Sequence, residues 1–176
     1  QTINNDDLLS TAISLTGTTF QYQGAAVTGL KVSTNSWLTL NTAETSTSFT
    51  NGFASATAPR SVIAPYWDDT YHYGAYSGLY YKIDGTLGSG SAKIIVEWYK
   101  YSYFTASGPE LYYQVVLDEN GNKVTINYGN MQTFNGTFNR RHTYSMGLMG
   151  SFVSPYPQSG EIMALQYENT TAFGPT

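Results

Sequence analysis

Cysteine is absent from this chain, which excludes disulfides, thiolate zinc sites and cysteine nucleophiles. Charge is scarce: Asp, Glu, Lys and Arg make up 11% of the residues, well below the level of an average soluble domain. The net charge is −4, with 8 basic residues, and the only tight basic cluster is Arg140-Arg141-His142. A nucleic-acid groove needs a basic stripe to displace counterions, so no nucleic-acid partner is expected. There is no polybasic amphipathic helix to lie on a membrane. No apolar run approaches the roughly 18 residues of a membrane span, so no membrane insertion is expected. Helical signatures are missing too, since no window places apolar residues at i, i+3, i+4 and i+7 between caps.

What remains is a chain built for strands and turns. Its 176 residues suit one domain with one continuous core. It carries 16 Tyr and 17 Gly, with abundant threonine, a mixture that favours strands and tight turns. Residues 1–16 read as an N-terminal arm or first strand, and 17–176 as the sandwich domain. From Val27 to Leu40, Leu30, Val32, Thr34, Ser36, Leu38 and Leu40 share one parity. Asn35-Ser36 in the middle can turn the chain, making two strands of one. Residues 41–58 form a loop under which Phe49 and Phe53 are expected to tuck. Val62–Trp67 reads as a core strand, and Lys93–Tyr103, apolar or aromatic on both faces, as a central one. In that strand Ile95, Glu97, Tyr99 and Tyr101 share a face. The best hairpin runs from Glu110–Asp118 to Lys123–Tyr128 across Asn120-Gly121. The expected fold is all-β: a single-domain, antiparallel, two-sheet β-sandwich of jelly-roll type with about nine or ten strands.

The order of motifs resembles a known family. Phe20-Gln-Tyr-Gln-Gly24 leads to Val32-Ser-Thr-Asn-Ser-Trp-Leu-Thr-Leu40, then Ala64-Pro-Tyr-Trp-Asp-Asp69, Ile95-Val-Glu-Trp98 and the hairpin. Over about residues 20–150 this is similar to the nidogen-like extracellular β-sandwich, in the version found in secreted and cell-surface proteins of Bacteroidetes exported by the type IX system. The resemblance implies an extracellular or cell-surface, non-catalytic module for adhesion or surface architecture, and supplies no catalytic residues. Family members usually have Asn-Gly at the position of Asn35-Ser36, and a serine there weakens the expectation of a positive φ.

Three chemistries compete for the remaining polar and aromatic residues. Asp68 and Asp69 can offer oxygens to Ca²⁺, which takes six to eight of them. Adjacent strand residues face opposite ways, however. The preferred reading is that one Asp caps a turn and the other meets water, with no cofactor, and Ca²⁺ is the alternative. Tyr71, His72, Tyr73 and Tyr76 lie in a Gly-containing loop, and with Tyr101 and Tyr103 they make a set that can stack on sugar rings or line a protein interface. Glu97 and Glu161 are the one carboxylate pair with apolar strand neighbours that a glycosidase could use. His72 and His142 sit near no nucleophile elbow and lack zinc spacing.

The leading expectation is a non-enzymatic adhesin or a structural subunit of an extracellular filament. Its partners would be copies of itself, other surface proteins or glycans. A carbohydrate-binding module and a small β-jelly-roll glycoside hydrolase are the alternatives. The arm decides between assembly states: pairing with a neighbour's sheet edge makes a polymer, and folding back covers the edge.

Overall fold

The computed structural model describes residues 6–50, 59–72, 77–104, 110–131, 145–148 and 166–168. Within them lie thirteen strands and no helix: β1 (Ile13–Ser14), β2 (Gln21–Tyr22), β3 (Ala25–Ala26), β4 (Gly29–Ser33), β5 (Trp37–Thr39), β6 (Val62–Trp67), β7 (Thr70–His72), β8 (Gly78–Asp84), β9 (Lys93–Tyr103), β10 (Leu111–Asp118), β11 (Lys123–Met131), β12 (Ser145–Leu148) and β13 (Gln166–Glu168). The excess over the expected count lies in the two-residue pieces β1, β2 and β3.

One sheet has the order β1-β4-β5-β6-β12, and the other β13-β11-β10-β9-β7 with β8 also on β9. All of these pairings are antiparallel except β11 with β13, which is parallel. The two sheets face each other across a core to which both contribute: Leu30, Val32, Leu38 and Ile63 from the first, Val96, Trp98, Tyr113 and Val115 from the second. This is the all-β sandwich that the alternation predicts. β9 is the central strand, carrying β10 on one side and β7 and β8 on the other.

β6 is buried on both faces. Its inner residues join the main core, and Val62, Ala64 and Trp67 form a second cluster with Trp37. Opposite β12, two steps from Ser145 to Gly147 span three steps of β6 from Ala64 to Trp67, a bulge that holds Pro65. A bulge tolerates a residue with no N–H to give the ladder. It also restores Trp67 to the face of Ala64, where alternation alone would place it opposite. Loop 41–50 lies over this second cluster. The indoles of Trp37 and Trp67 both donate to the Ser48 carbonyl, at 3.0 and 3.1 Å. The tryptophans are therefore what tucks under the loop. Phe49 stays 48% exposed, contrary to expectation, and Phe53 lies outside the described residues.

Within the described part of the arm, residues 8–15 fold back on their own sheet. Thr34 N–H donates to Leu8 O (2.9 Å), Ser10 N–H to Val32 O (2.8 Å) and Leu15 N–H to Thr28 O (2.9 Å). Ile13 pairs with Leu30, and Leu15 is fully buried. Residues 8–15 thus cover the edge of β4.

At one end of the sandwich a single carboxylate ties three segments together. The hairpin turn after β10 carries Glu119, which is 7% exposed. It accepts from Thr18 Oγ1 (2.7 Å), Thr19 N–H (3.0 Å), Gly88 N–H (2.8 Å), Gly90 N–H (2.9 Å) and Ala92 N–H (3.3 Å). Gly88 must be glycine here: its φ is +86°, and a Cβ would lie 2.6 Å from the Gly17 carbonyl oxygen. Burial alone raises the Glu119 carboxyl. The donors from Gly88, Thr18, Thr19 and Gly90 outweigh burial and lower its pKa from 4.5 to about 2. A depressed carboxylate stabilises the fold fully above its unfolded pKa, and the contribution is lost as pH falls through 4.5 towards 2. Glu119→Gln is expected to lower stability by about 2 kcal/mol at pH 7, because the amide –NH2 cannot accept the bonds made to one carboxylate oxygen and the other oxygen keeps only neutral ones. Urea unfolding at pH 7 and in strong acid checks this, with the two proteins converging at low pH.

Candidate functional site

The two motifs that carry the family resemblance meet in space. Between β4 and β5 the chain turns through Thr34, Asn35 and Ser36, and Ser33, Thr34, Asn35 and Ser36 are all 0% exposed. A turn buried this deeply must satisfy its polar groups internally. Ser33 O accepts from the Trp98 indole at 2.9 Å, and Ser36 O accepts from Tyr66 N–H at 3.4 Å. Thr70, at the start of β7, donates its N–H to Asn35 Oδ1 (3.2 Å) and its hydroxyl to Thr34 O (2.9 Å). That uses the only hydroxyl hydrogen of Thr70. Thr70 must therefore accept from Ser36 Oγ, 2.5 Å away, and Ser36 in turn accepts from the Tyr113 hydroxyl. The chain of donors runs Tyr113, Ser36, Thr70, Thr34, and so crosses from one sheet to the other. Ser36 has φ +63°. A serine here thus adopts the left-handed conformation after all, held by its two side-chain bonds.

Asn35 extends this network towards the arm. Its amide nitrogen donates to Asp7 Oδ1 (2.7 Å) and Thr47 O (3.0 Å). Here the structure separates the two adjacent aspartates. Asp68 is buried at 8% exposure, and its Oδ1 accepts the Asp69 N–H at 2.8 Å, capping the turn between β6 and β7. Asp69 instead joins Asp6 and Asp7, with one carboxylate oxygen from each within 4.8 Å of the others. Three carboxylates supply only part of a Ca²⁺ shell of six to eight oxygens. Asp6 Oδ1 is buried and has no hydrogen-bond partner. Burial, and then the Asp7 carboxylate, raise the Asp6 carboxyl, partly offset by a bond to the Asp7 backbone.

The aromatic candidates scatter. Tyr71 and His72 in β7 are half-buried. Tyr71 meets Phe104 edge-on at 5.8 Å, and His72 Nδ1 lies 3.2 Å from Ser77 Oγ. Tyr73 and Tyr76 lie outside the described residues, as does Glu161. Tyr103 is half-buried, its hydroxyl bonded to that of Tyr66. Tyr101 is not a surface residue: it is 0% exposed. Between Trp98 and Tyr101, β9 spends three steps against two from Tyr113 to Leu111 of β10, and Lys100 has φ +59°. This bulge turns Tyr101 inwards, away from the face of Ile95, Glu97 and Tyr99 on which alternation would place it. Glu97 is half-buried on the outer face and accepts from the Gln114 amide at 2.9 Å, so it lines no cleft between the sheets.

A different aromatic group comes together on that outer face. Tyr80 of β8, Tyr99 of β9 and Tyr112 of β10 stand side by side, with ring centroids 6.3 and 5.1 Å apart and Tyr99 edge-on to both. Tyr80 and Tyr99 are 46% and 39% exposed. The Tyr112 hydroxyl donates to Glu110 Oε2 (2.5 Å), and Glu110 also pairs with Lys100 (3.2 Å). The bond to Glu110, followed by burial, raises the Tyr112 pKa to about 12. The sequence signal was present: Tyr80 and Tyr112 share the outward parity of their strands. What no single strand reveals is the register that aligns them with Tyr99.

The fold and its buried turn define a two-sheet β-module with its polar motif inside and its aromatic residues partly outside. The chain belongs to the NIDO-related family, whose model matches residues 1–174, and membership points to an extracellular β-domain module of nidogen-like type. No curated protein and no solved structure matches the chain. No helix among the described residues is long and apolar enough to cross a membrane.

The acidic group yields a test with a definite sign. A carboxyl raised in the folded state costs stability once ionised, so its contribution favours folding below the unfolded pKa and is lost as pH rises through the folded one. Asp6→Asn is expected to raise the thermal midpoint at pH 7 by roughly 1 °C, since exposed-side charge effects are small. The gain should vanish at pH 3, and added Ca²⁺ should leave wild type unchanged. A Ca²⁺-dependent rise in wild type that Asp6→Asn abolishes would assign a cation to Asp6, Asp7 and Asp69.

Proposed function

We propose that the chain is a non-enzymatic recognition module of an extracellular surface, an adhesin of the kind secreted by Bacteroidetes. The observation that carries this reading is the placement of exposed aromatics. Tyr80, Tyr99 and Phe104, each between 39% and 51% exposed, lie on or beside the strands of one sheet, and Tyr80 and Tyr99 share its outer face. Large aromatics left in water on one face favour a binding surface over a passive spacer. The bonding of Glu97 to Gln114 on an open face favours the non-catalytic reading over a glycosidase.

The second reading is a filament subunit. It requires the arm to leave the edge of β4, and the bonds from Leu8 to Leu15 favour the self-covered monomer. The test is adsorption of the purified chain to intact cells and to surfaces coated with matrix protein or glycan, followed by release assays on xylan and glucan. Saturable adsorption, monomeric sedimentation and no new reducing ends are expected. Turnover abolished by Glu97→Gln would overturn the non-enzymatic reading. A concentration-dependent polymer would move the role to assembly.

A further inference from the structure

We propose that the outer face of the β8-β9-β10 sheet is a binding site for an extended, neutral polysaccharide, with Tyr80, Tyr99 and Tyr112 as its stacking strip. This names a ligand class for the recognition module proposed above and rests on that reading. The site differs from the Tyr71–Tyr76 loop that the sequence favours.

The first support is how the rings are seated. Gly78 and Gly129 have no positive φ that would require glycine. A Cβ on Gly78 would lie 3.3 Å from the Tyr80 ring, and one on Gly129 would lie 3.0 Å from the Tyr112 Cβ. Glycine at 78 thus leaves room for the Tyr80 ring, and glycine at 129 for a side chain at 112. The second support is rigidity. Tyr99 meets Tyr80 at 76° and Tyr112 at 82°, edge contacts that hold the rings in place before any ligand arrives. Binding then orders little that was free, which preserves affinity.

The third support is the chemistry between and beside the rings. Register places Glu97 opposite both Tyr80 and Gln114. Glu97 and Gln114 bond to each other and keep further lone pairs and one amide N–H for a ligand. Sugars offer apolar C–H faces to rings and hydroxyls to such carboxylate and amide groups. Adjacent strands lie about 4.8 Å apart, so the three rings run across the strands for about 10 Å, a line suited to successive sugar units of one chain. Charge selects a neutral ligand. Lys100 is already paired with Glu110, and Lys82 with Asp84 at 2.9 Å, so the cations here carry acidic partners and Glu97 disfavours an anion. A protein partner would find tyrosine and amide groups here with few aliphatic side chains to bury.

The test is native affinity electrophoresis of the whole chain in gels containing soluble neutral polysaccharides (galactomannan, hydroxyethylcellulose, laminarin) or acidic ones (polygalacturonate, heparin). Retardation by at least one neutral polysaccharide is expected. Tyr99→Ala should weaken it about tenfold or more, the scale of one lost aromatic contact. Gln114→Ala, which leaves the rings in place, should weaken it as well, and Phe49→Ala, at an exposed ring on the 41–50 loop, should leave it unchanged. Circular dichroism confirms that each variant folds. If Tyr99→Ala does not fold, Tyr80→Ala on the edge strand β8 replaces it. No retardation by any neutral polysaccharide, retardation by acidic ones alone, or retardation indifferent to both strip variants would overturn the proposal. Adsorption to protein-coated surfaces that persists without polysaccharide binding would refute the glycan site and leave the recognition module standing.

Discussion

A turn buried between two sheets is the constraint on which the rest of this structure depends. Backbone turns ordinarily lie at the surface because water satisfies them. Here Ser33–Ser36 is shut away from solvent, and its bonds come from Trp98, Thr70, Tyr113 and Tyr66. Leaving any one of these buried groups without its partner costs on the order of 1–3 kcal/mol, so the partners are fixed together or not at all. The same side chains set the spacing of the sheets, the start of β7 and, through Asn35 and Asp7, the path of the arm. This explains why the segments Val32–Leu40 and Ala64–Asp69 carry the family resemblance. They are two halves of one interior joint, completed by Thr70.

The stabilising joints and the proposed recognition face are spatially divided as a result. The turn occupies the interior, and Glu119 fastens the loops at 18–19 and 88–92 to the β10-β11 hairpin. Neither involves the tyrosines on the outer face. Such a module can vary its exposed strip without losing its fold, a separation common to domains that serve as platforms for binding. The motifs that carry the family resemblance lie in the frame, and the proposed glycan strip lies outside them on the surface.

Much of the frame could be read from the residues alone. Alternation in Lys93–Tyr103, the unbroken apolar run into Trp67 and the Asn-Gly turn gave the central strand, the core strand and the hairpin at close to their observed limits. The reading failed where an irregularity resets the period. The bulge at Lys100 moved Tyr101 from the outer face into the core. Of the adjacent aspartates, Asp68 caps the turn, as one of the pair was expected to, and the placement of Asp69 beside Asp6 and Asp7 of the arm is what no local pattern shows. The Tyr80–Tyr99–Tyr112 strip depends on the pairing of three separate strands, information that no local pattern contains.

The central claim is that the buried turn opens only when the whole domain opens. Amide hydrogen exchange tests it most directly, because groups in a cooperative core exchange by global unfolding and those in loosely held turns by local fluctuation. The amides of Thr34 and Thr70, donors to Leu8 O and Asn35 Oδ1, should show the same opening free energy as Val115 and Val96 in the central strands, and the same sensitivity to denaturant. Exchange of Thr34 and Thr70 that is much faster than in those strands, and independent of denaturant, would contradict the account.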